Sequence, residues 1–255
     1  MMGWASIFQD SYVVGFILLY VRFTALFIAT PIFSHTSIPN SVKAALSFFF
    51  TIVFYPSMPP LMIDINLLSI ITAILSELLF GLAVGLILQI TYNIITFAGG
   101  LISFMMGFSM ASAIDPQSGV SMPIVSQFLS LMALMVLFSI DLHHWILLFI
   151  NDSLTQIPLG GFMLTHNFLQ YTITATSKMY MVGFTIAFPI VALILLSDII
   201  FGMLMKTMPQ FNLLVIGYPI KIMVSFAVLI ATFTATMLIL KNNMLEAFNF
   251  LEMFF

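Results

Sequence analysis

Cysteine is absent from the 255-residue chain, which excludes disulfides, thiolate metal sites and cysteine catalysis. Charge is nearly absent as well. Six Lys and Arg stand against nine Asp and Glu, together 6% of residues, where an ordinary soluble domain carries about 25%. Six basic side chains cannot build a face for phosphates, so nucleic acid is not a partner. So little polar surface also cannot cover a water-soluble globule of this size. A basic leader is missing too: the first ten residues carry Asp10 and no Lys or Arg, so the apolar start is expected to stay in the mature protein. What the chain does have is apolar surface, with 62% hydrophobic residues and a mean hydropathy of +1.20. Lipid or neighbouring apolar subunits must supply much of its surroundings.

A bilayer-spanning helix needs about 20 apolar residues, and six segments approach this. They run from Ser11 to Ser34, Val42 to Ser57, Asn66 to Ala113, Pro123 to Ile150, Asn167 to Lys206 and Phe211 to Leu240. The second is short and stops against Pro56, Pro59 and Pro60; the third and fifth are too long for one crossing, and Pro189 should kink the fifth. Turn chemistry marks loops at Ser34–Asn40, Pro56–Asn66 and Asn151–His166. At the C-terminus Met244, Phe248, Leu251 and Phe255 share one helical face, giving an amphipathic tail. No period-two alternation is sustained, so the expected fold is an all-α integral membrane protein. Lys and Arg show no loop bias that would set a topology. Helices that ignore bilayer thickness therefore point to positions set by protein contacts.

Five charges fall inside apolar runs: Arg22, Glu77, Asp141, Asp198 and Lys221. A charge at mid-membrane depth costs at least about 2.5–3.5 kcal/mol on insertion scales, so it faces protein or water. One reading is a secondary transporter or proton channel using Glu77, Asp141 and Asp198. The other is structural, with Arg22 and an acidic partner such as Glu77 fixing helix register. Paired halves with broken helices, which a transporter predicts, are not seen, and the structural reading is adopted. An intramembrane protease would require Ser109 near a histidine. Adjacent His143 and His144 point about 100° apart on a helix, which makes them poor joint metal ligands. No catalytic, metal or cofactor site is expected, and the protein is read as non-enzymatic.

Small residues carry more information. Gly81 and Gly85 form a GxxxG pair, and Gly99, Ser103, Gly107 and Ala111 continue a narrow ridge at four-residue steps. The ridge runs into Asp115-Pro116-Gln117-Ser118-Gly119, a helix-breaking polar turn between two apolar segments. Met105, Met106, Met110 and Met122 surround it with Phe104 and Phe108. Flexible methionines fill irregular gaps around changing partners, as a deformable seal would need.

The run Met106-Gly107-Phe108-Ser109-Met110-Ala111, followed by Asp115-Pro116-Gln117-Ser118-Gly119, resembles the signature of the FliR/SctT family of flagellar and type III secretion export-gate membrane proteins. Arg22 with Pro31, and Glu77 with Gly81 and Gly85, agree with it. Asp141-Leu142-His143-His144 resembles the family's Asp-Gly-His stretch, with Leu142 in place of glycine. Pro209-Gln210-Phe211-Asn212 and Gly217-Tyr218-Pro219-Ile220-Lys221 resemble its C-terminal signature. The resemblance implies a FliP-like helical part over residues 1–165 fused to a FliQ-like helical hairpin over 166–255. It implies assembly with FliP-like, FliQ-like and FlhB-like subunits around an export pore for unfolded substrates, in the bacterial cytoplasmic (inner) membrane at the flagellar basal body. It also implies a pore plug over about residues 106–122.

Overall fold

The computed structural model describes residues 10–34, 38–61, 66–108, 123–208 and 213–254. Among these the chain is helical, with no strand. The helices are α1 (Asp10–Ala29), α2 (Asn40–Phe54), α3 (Leu67–Met106), α4 (Ile124–Ser139), α5 (Leu142–Gln156), α6 (His166–Thr207) and α7 (Tyr218–Phe254). A 3₁₀ turn at Tyr55–Ser57 follows α2, and a π-turn at Leu213–Gly217 precedes α7. Helices α1, α3, α6 and α7 (the last counted from Val215) are long and apolar enough to cross a membrane, and α4 with α5 forms a fifth, broken candidate.

Three helices exceed any single crossing. α3, α6 and α7 contain 40, 42 and 37 residues, or roughly 55–63 Å at about 1.5 Å per residue. A hydrocarbon core is about 30 Å thick. Pro189 lies inside α6, which continues past it. The tail expected after Lys241 is the unbroken continuation of α7, whose Met244, Phe248 and Leu251 are buried. Two boundaries differ from the sequence reading. The Pro123–Ile150 segment is two helices, because Asp141 adopts the left-handed conformation (φ 55°) and stops α4 from running into α5. Asn151–Gln156, read as the start of a polar connector, is the last part of α5.

The chain forms two compact units, with residues 1–90, 137–175 and 244–255 in the first and residues 91–136 and 176–243 in the second. In the first, an aromatic seam joins α1 to α2. Phe16 and Tyr20 meet Phe48 edge-on, and Phe23 packs on Phe50 and Phe54. α2 is built inside out. Its buried stripe is Lys43, Ser47 and Thr51, while Phe48, Phe49, Ile52 and Val53 are exposed. The hydroxyls of Ser47 and Thr51 donate to the carbonyls four residues back, at 2.8 and 2.7 Å, so burial leaves them satisfied. Small polar residues inside and large apolar ones outside suit a helix whose outer face meets lipid or another subunit.

Glycine sets how closely helices approach. A Cβ added at Gly81 would come within 2.5 Å of Ala25 Cβ and 2.7 Å of the Leu26 backbone nitrogen. One added at Gly85 would meet the backbone of Ala29 at 2.8 Å. The GxxxG pair is thus the surface on which α1 lies against α3. In the second unit Gly99 plays the same part: a Cβ added there would lie 2.6 Å from Ser126 Cα on α4.

Candidate functional site

Two structural nodes stand out, one in each unit. In the first, Arg22 and Glu77 are completely buried. Arg22 Nη2 donates to Glu77 Oε1 at 3.0 Å, and its Nε donates to Oε2. This is the bidentate arrangement that a planar guanidinium makes with a carboxylate. Two further N–H groups are used as well. Nη1 reaches Ser153 Oγ at 3.1 Å on α5, and Nη2 also reaches the Ile157 carbonyl at 3.3 Å. Gly160 N–H donates to Glu77 Oε1 at 2.6 Å. The Arg22 guanidinium lies 4.5 Å from the Phe80 ring centre, a desolvated cation–π contact. One ion pair therefore ties together α1, α3, α5 and the connector after α5. A buried pair whose two charges face each other holds geometry; one with a partner removed does not.

The second node is where α3 ends. Gly107 N–H donates to the Phe104 carbonyl at 3.1 Å, and Phe108 N–H donates to the Ser103 carbonyl at 3.0 Å. Together with φ +86° at Gly107, this is a Schellman cap, which glycine fills because the left-handed position tolerates no Cβ cheaply. The ridge expected to continue through Gly107 as helix is therefore corrected: Gly99 and Ser103 face α4, whereas Gly107 turns the chain out of α3. Beyond residues 109–122 the chain returns at Pro123 and starts α4 beside the place it left. Ser103 Oγ accepts the Val125 N–H at 3.2 Å, Ser126 Oγ donates to the Thr96 carbonyl at 2.8 Å, and Tyr92 Oη donates to the Ser130 carbonyl at 2.8 Å. Ser103 thus supplies, from a different helix, a cap for one of the free N–H groups at the start of α4.

The other site residues fall as follows. Met106 is buried and Phe108 is partly exposed, 6.4 Å from the Phe226 ring on α7. Ser109, Met110, Ala111, Asp115, Pro116, Gln117, Ser118, Gly119 and Met122 lie outside the described residues, as do Pro209, Gln210 and Asn212. Gly217 is buried at the end of the π-turn. Pro219 is the second residue of α7, directly after the π-turn. Lys221 is buried, pairs with Asp198 at 2.7 Å and lies 5.5 Å from the Tyr218 ring centre. The Asp198 side chain is 46% exposed. Asp141 differs most from the expectation of a buried charge: its side chain is 72% exposed, because it sits at the break between α4 and α5. Sequence reasoning missed Ser153, Gly160 and Val125, which act through a backbone group or a single hydroxyl and carry no motif.

Large apolar residues remain uncovered throughout. A groove of about 600 Å³ in the first unit is walled by Ile28, Leu79, Leu82, Leu86 and Leu169, with Ser34 and Gln89 in its lining. Only 33% of the most apolar window of α6 and 22% of that of α7 is buried, against 50% for α3. These surfaces belong against lipid or other apolar helices.

An all-helical membrane chain whose ion pair and caps fix helix positions, and whose outer faces are apolar, defines a class: a membrane protein built to pack among other helices. The match is more specific. The chain belongs to the bacterial export proteins, family 1, which it matches over residues 13–247. It is similar to the flagellar biosynthetic protein FliR of Bacillus subtilis (strain 168), 31% identical over 234 residues and 89% of each chain. The FliR of Escherichia coli (strain K12) is 27% identical over 231 residues, covering 91% of this chain and 88% of the relative. The FliR of Aquifex aeolicus (strain VF5) is 21% identical over 248 residues, covering 96% and 95%.

Proposed function

We propose that this chain is a structural and gating subunit of the flagellar (type III) protein-export gate of the bacterial inner membrane, and that it lines and closes the path of unfolded substrates. Its partners are FliP-like, FliQ-like and FlhB-like subunits and membrane lipid; its parts are a FliP-like region over residues 1–165 and a FliQ-like hairpin over 166–255. It performs no catalysis. The observation that carries the gating role is the root of the 109–122 segment. The chain leaves α3 at a capped glycine and re-enters α4 beside it, tied by Ser103 to Val125. A segment anchored at both ends can be displaced without pulling its scaffold apart. Its composition, with Met110, Pro116 and Met122, suits a soft closure made of weak apolar contacts. A pore wide enough for a polypeptide leaks ions unless such an element dewets it at rest.

A proton relay through Glu77 is disfavoured, because both its oxygens already accept bonds from Arg22. The test is expression of the chain alone in detergent against co-expression with FliP-like and FliQ-like subunits. The proposal expects aggregation or degradation alone and a monodisperse assembly when co-expressed. A stable, monodisperse monomer on its own would count against it.

A further inference from the structure

The break between α4 and α5 brings three metal-ligating side chains together. Asp141, His143 and His144 each offer one ligand atom, a carboxylate oxygen or an imidazole nitrogen, and all three lie within 4.8 Å of one another. Consecutive helical positions diverge by about 100° at Cβ. Here the side chains turn back on themselves, so that the two imidazole ring centres are only 4.1 Å apart. The left-handed backbone at Asp141 aims its carboxylate at the same cluster, with Oδ1 3.5 Å from His144 Nδ1.

Two further features are unexplained by folding alone. An Asp preceding a helix ordinarily spends its carboxylate on the free N–H groups of the first turn. Asp141 occupies the N-cap of α5 and makes no such side-chain bond; its main-chain carbonyl accepts from His144 N–H and Trp145 N–H instead, both at 3.0 Å. Its carboxylate is left uncommitted to the start of the helix. His143 Nδ1, meanwhile, is buried without a hydrogen-bond partner among the described residues, a costly state for an imidazole nitrogen. The Phe138 ring, 5.5 Å from the His143 ring, leans against it and restrains it.

We infer that Asp141, His143 and His144 form a binding site for a divalent transition-metal ion of the zinc, nickel or cobalt type. Two imidazoles and one carboxylate are borderline ligands that favour these ions over magnesium or calcium, which take sets of oxygens. Around a tetrahedral ion with bonds of about 2.0–2.1 Å, neighbouring donors sit about 3.3 Å apart. The Asp141–His144 contact is already near that spacing. Their side chains, 72% and 66% accessible, are free to rotate and close the remaining gap to His143, within 4.8 Å of both. Asp141 also supplies the negative charge that offsets the unfavourable positive end of the α5 dipole. Three protein ligands leave a fourth position open to water or to a donor from a neighbouring subunit. In this position the ion braces the first turn of α5 against its N-cap residue.

The test uses the tag-free full chain in its co-expressed assembly, stripped with a chelator and then titrated with Co²⁺ and Zn²⁺. The inference expects one Co²⁺ per chain with the intense visible bands of tetrahedral coordination, displaced by Zn²⁺. His143→Gln and His144→Gln should each weaken Zn²⁺ binding about tenfold or more. Asp141→Asn is the control for folding, since Asn is at home in the left-handed conformation; it should assemble normally and still lose tight binding. His166→Gln, at the exposed start of α6, should bind as the parent does. Absence of stoichiometric cobalt binding, or equal affinity in the parent and in assembled His143→Gln and His144→Gln chains, would overturn the inference.

Discussion

Replacing Glu77 by Gln keeps the size of the side chain and removes its charge. In the native chain Glu77 accepts two guanidinium bonds from Arg22 and one from Gly160 N–H. A glutamine offers a single acceptor oxygen, and its amide then sets donor against donor. Arg22, fully buried, is left as an uncompensated cation, a loss of about 3–5 kcal/mol. At roughly 2–4 °C per kcal/mol for a chain of this size, the midpoint should fall by roughly 6–20 °C. Arg22→Met should cost a similar amount, because it strands the carboxylate. The double variant Arg22→Met/Glu77→Gln removes both charges, keeps an acceptor for the Gly160 N–H and leaves chiefly the glutamine amide unpaired, a cost of about 1–3 kcal/mol. The two single costs added together would be about 6–10 kcal/mol, so the double variant should be more stable than either single one. The assay is the monodisperse fraction of the detergent-solubilised assembly after heating, for all four versions. Additive losses, or a Glu77→Gln protein that melts with its parent, would refute the claim that this pair holds α1, α3 and α5 together.

Other consequences follow from the packing. Gly85→Leu forces a large side chain into the Ala29 backbone; overpacking of this kind costs about 1–3 kcal/mol or more and should reduce the yield of assembled complex in co-purification, with Gly202→Leu, which faces open space, as the tolerated comparison. Gly107→Ala combines a left-handed backbone with a Cβ 3.0 Å from Tyr218, so it should lower the melting midpoint and alter gating more than Ser103→Ala, which removes only a single cap worth about 1 kcal/mol. Asp198→Asn leaves the buried Lys221 a neutral acceptor on a partner that is itself half exposed, so the loss should stay below the cost of about 3–5 kcal/mol for breaking a fully buried pair; assembly and export should both persist, and loss of export in an assembled Asp198→Asn complex would favour a proton relay.

The sequence shows its helices well and its stopping points unevenly. Hydropathy locates every long helix because a buried or lipid-facing helix of this length needs little else. The break at Asp141 is not legible because a left-handed Asp has no signature beyond its own letter, whereas the Pro56–Pro60 cluster stops α2 in plain view. Opposite charges inside the first and third apolar segments make Glu77 one candidate partner for Arg22, and the structure selects it. Ser153 and Gly160, which complete their coordination, are not, since a hydroxyl in an amphipathic helix and a backbone N–H in a turn look ordinary. Gly107 reads as one more step in a small-residue ridge; only its dihedral angle reveals it as the residue that ends α3. The convergence of His143 and His144 is hidden for a different reason. Helical periodicity fixes the directions of Cβ atoms, while ring positions depend on side-chain torsions that no spacing rule contains.

The central claim is that residues 109–122 close the export path while the helices that flank them form its scaffold. Deleting residues 111–119 spares the Gly107 cap and the Ser103–Val125 bond that hold α3 and α4 together. The shortened chain should therefore co-purify with its partners in parental amounts. Ion conductance across membranes containing that assembled complex should rise well above the parental level in the absence of substrate. An assembled complex that stays as tight as the parent would contradict the account and place closure in another element.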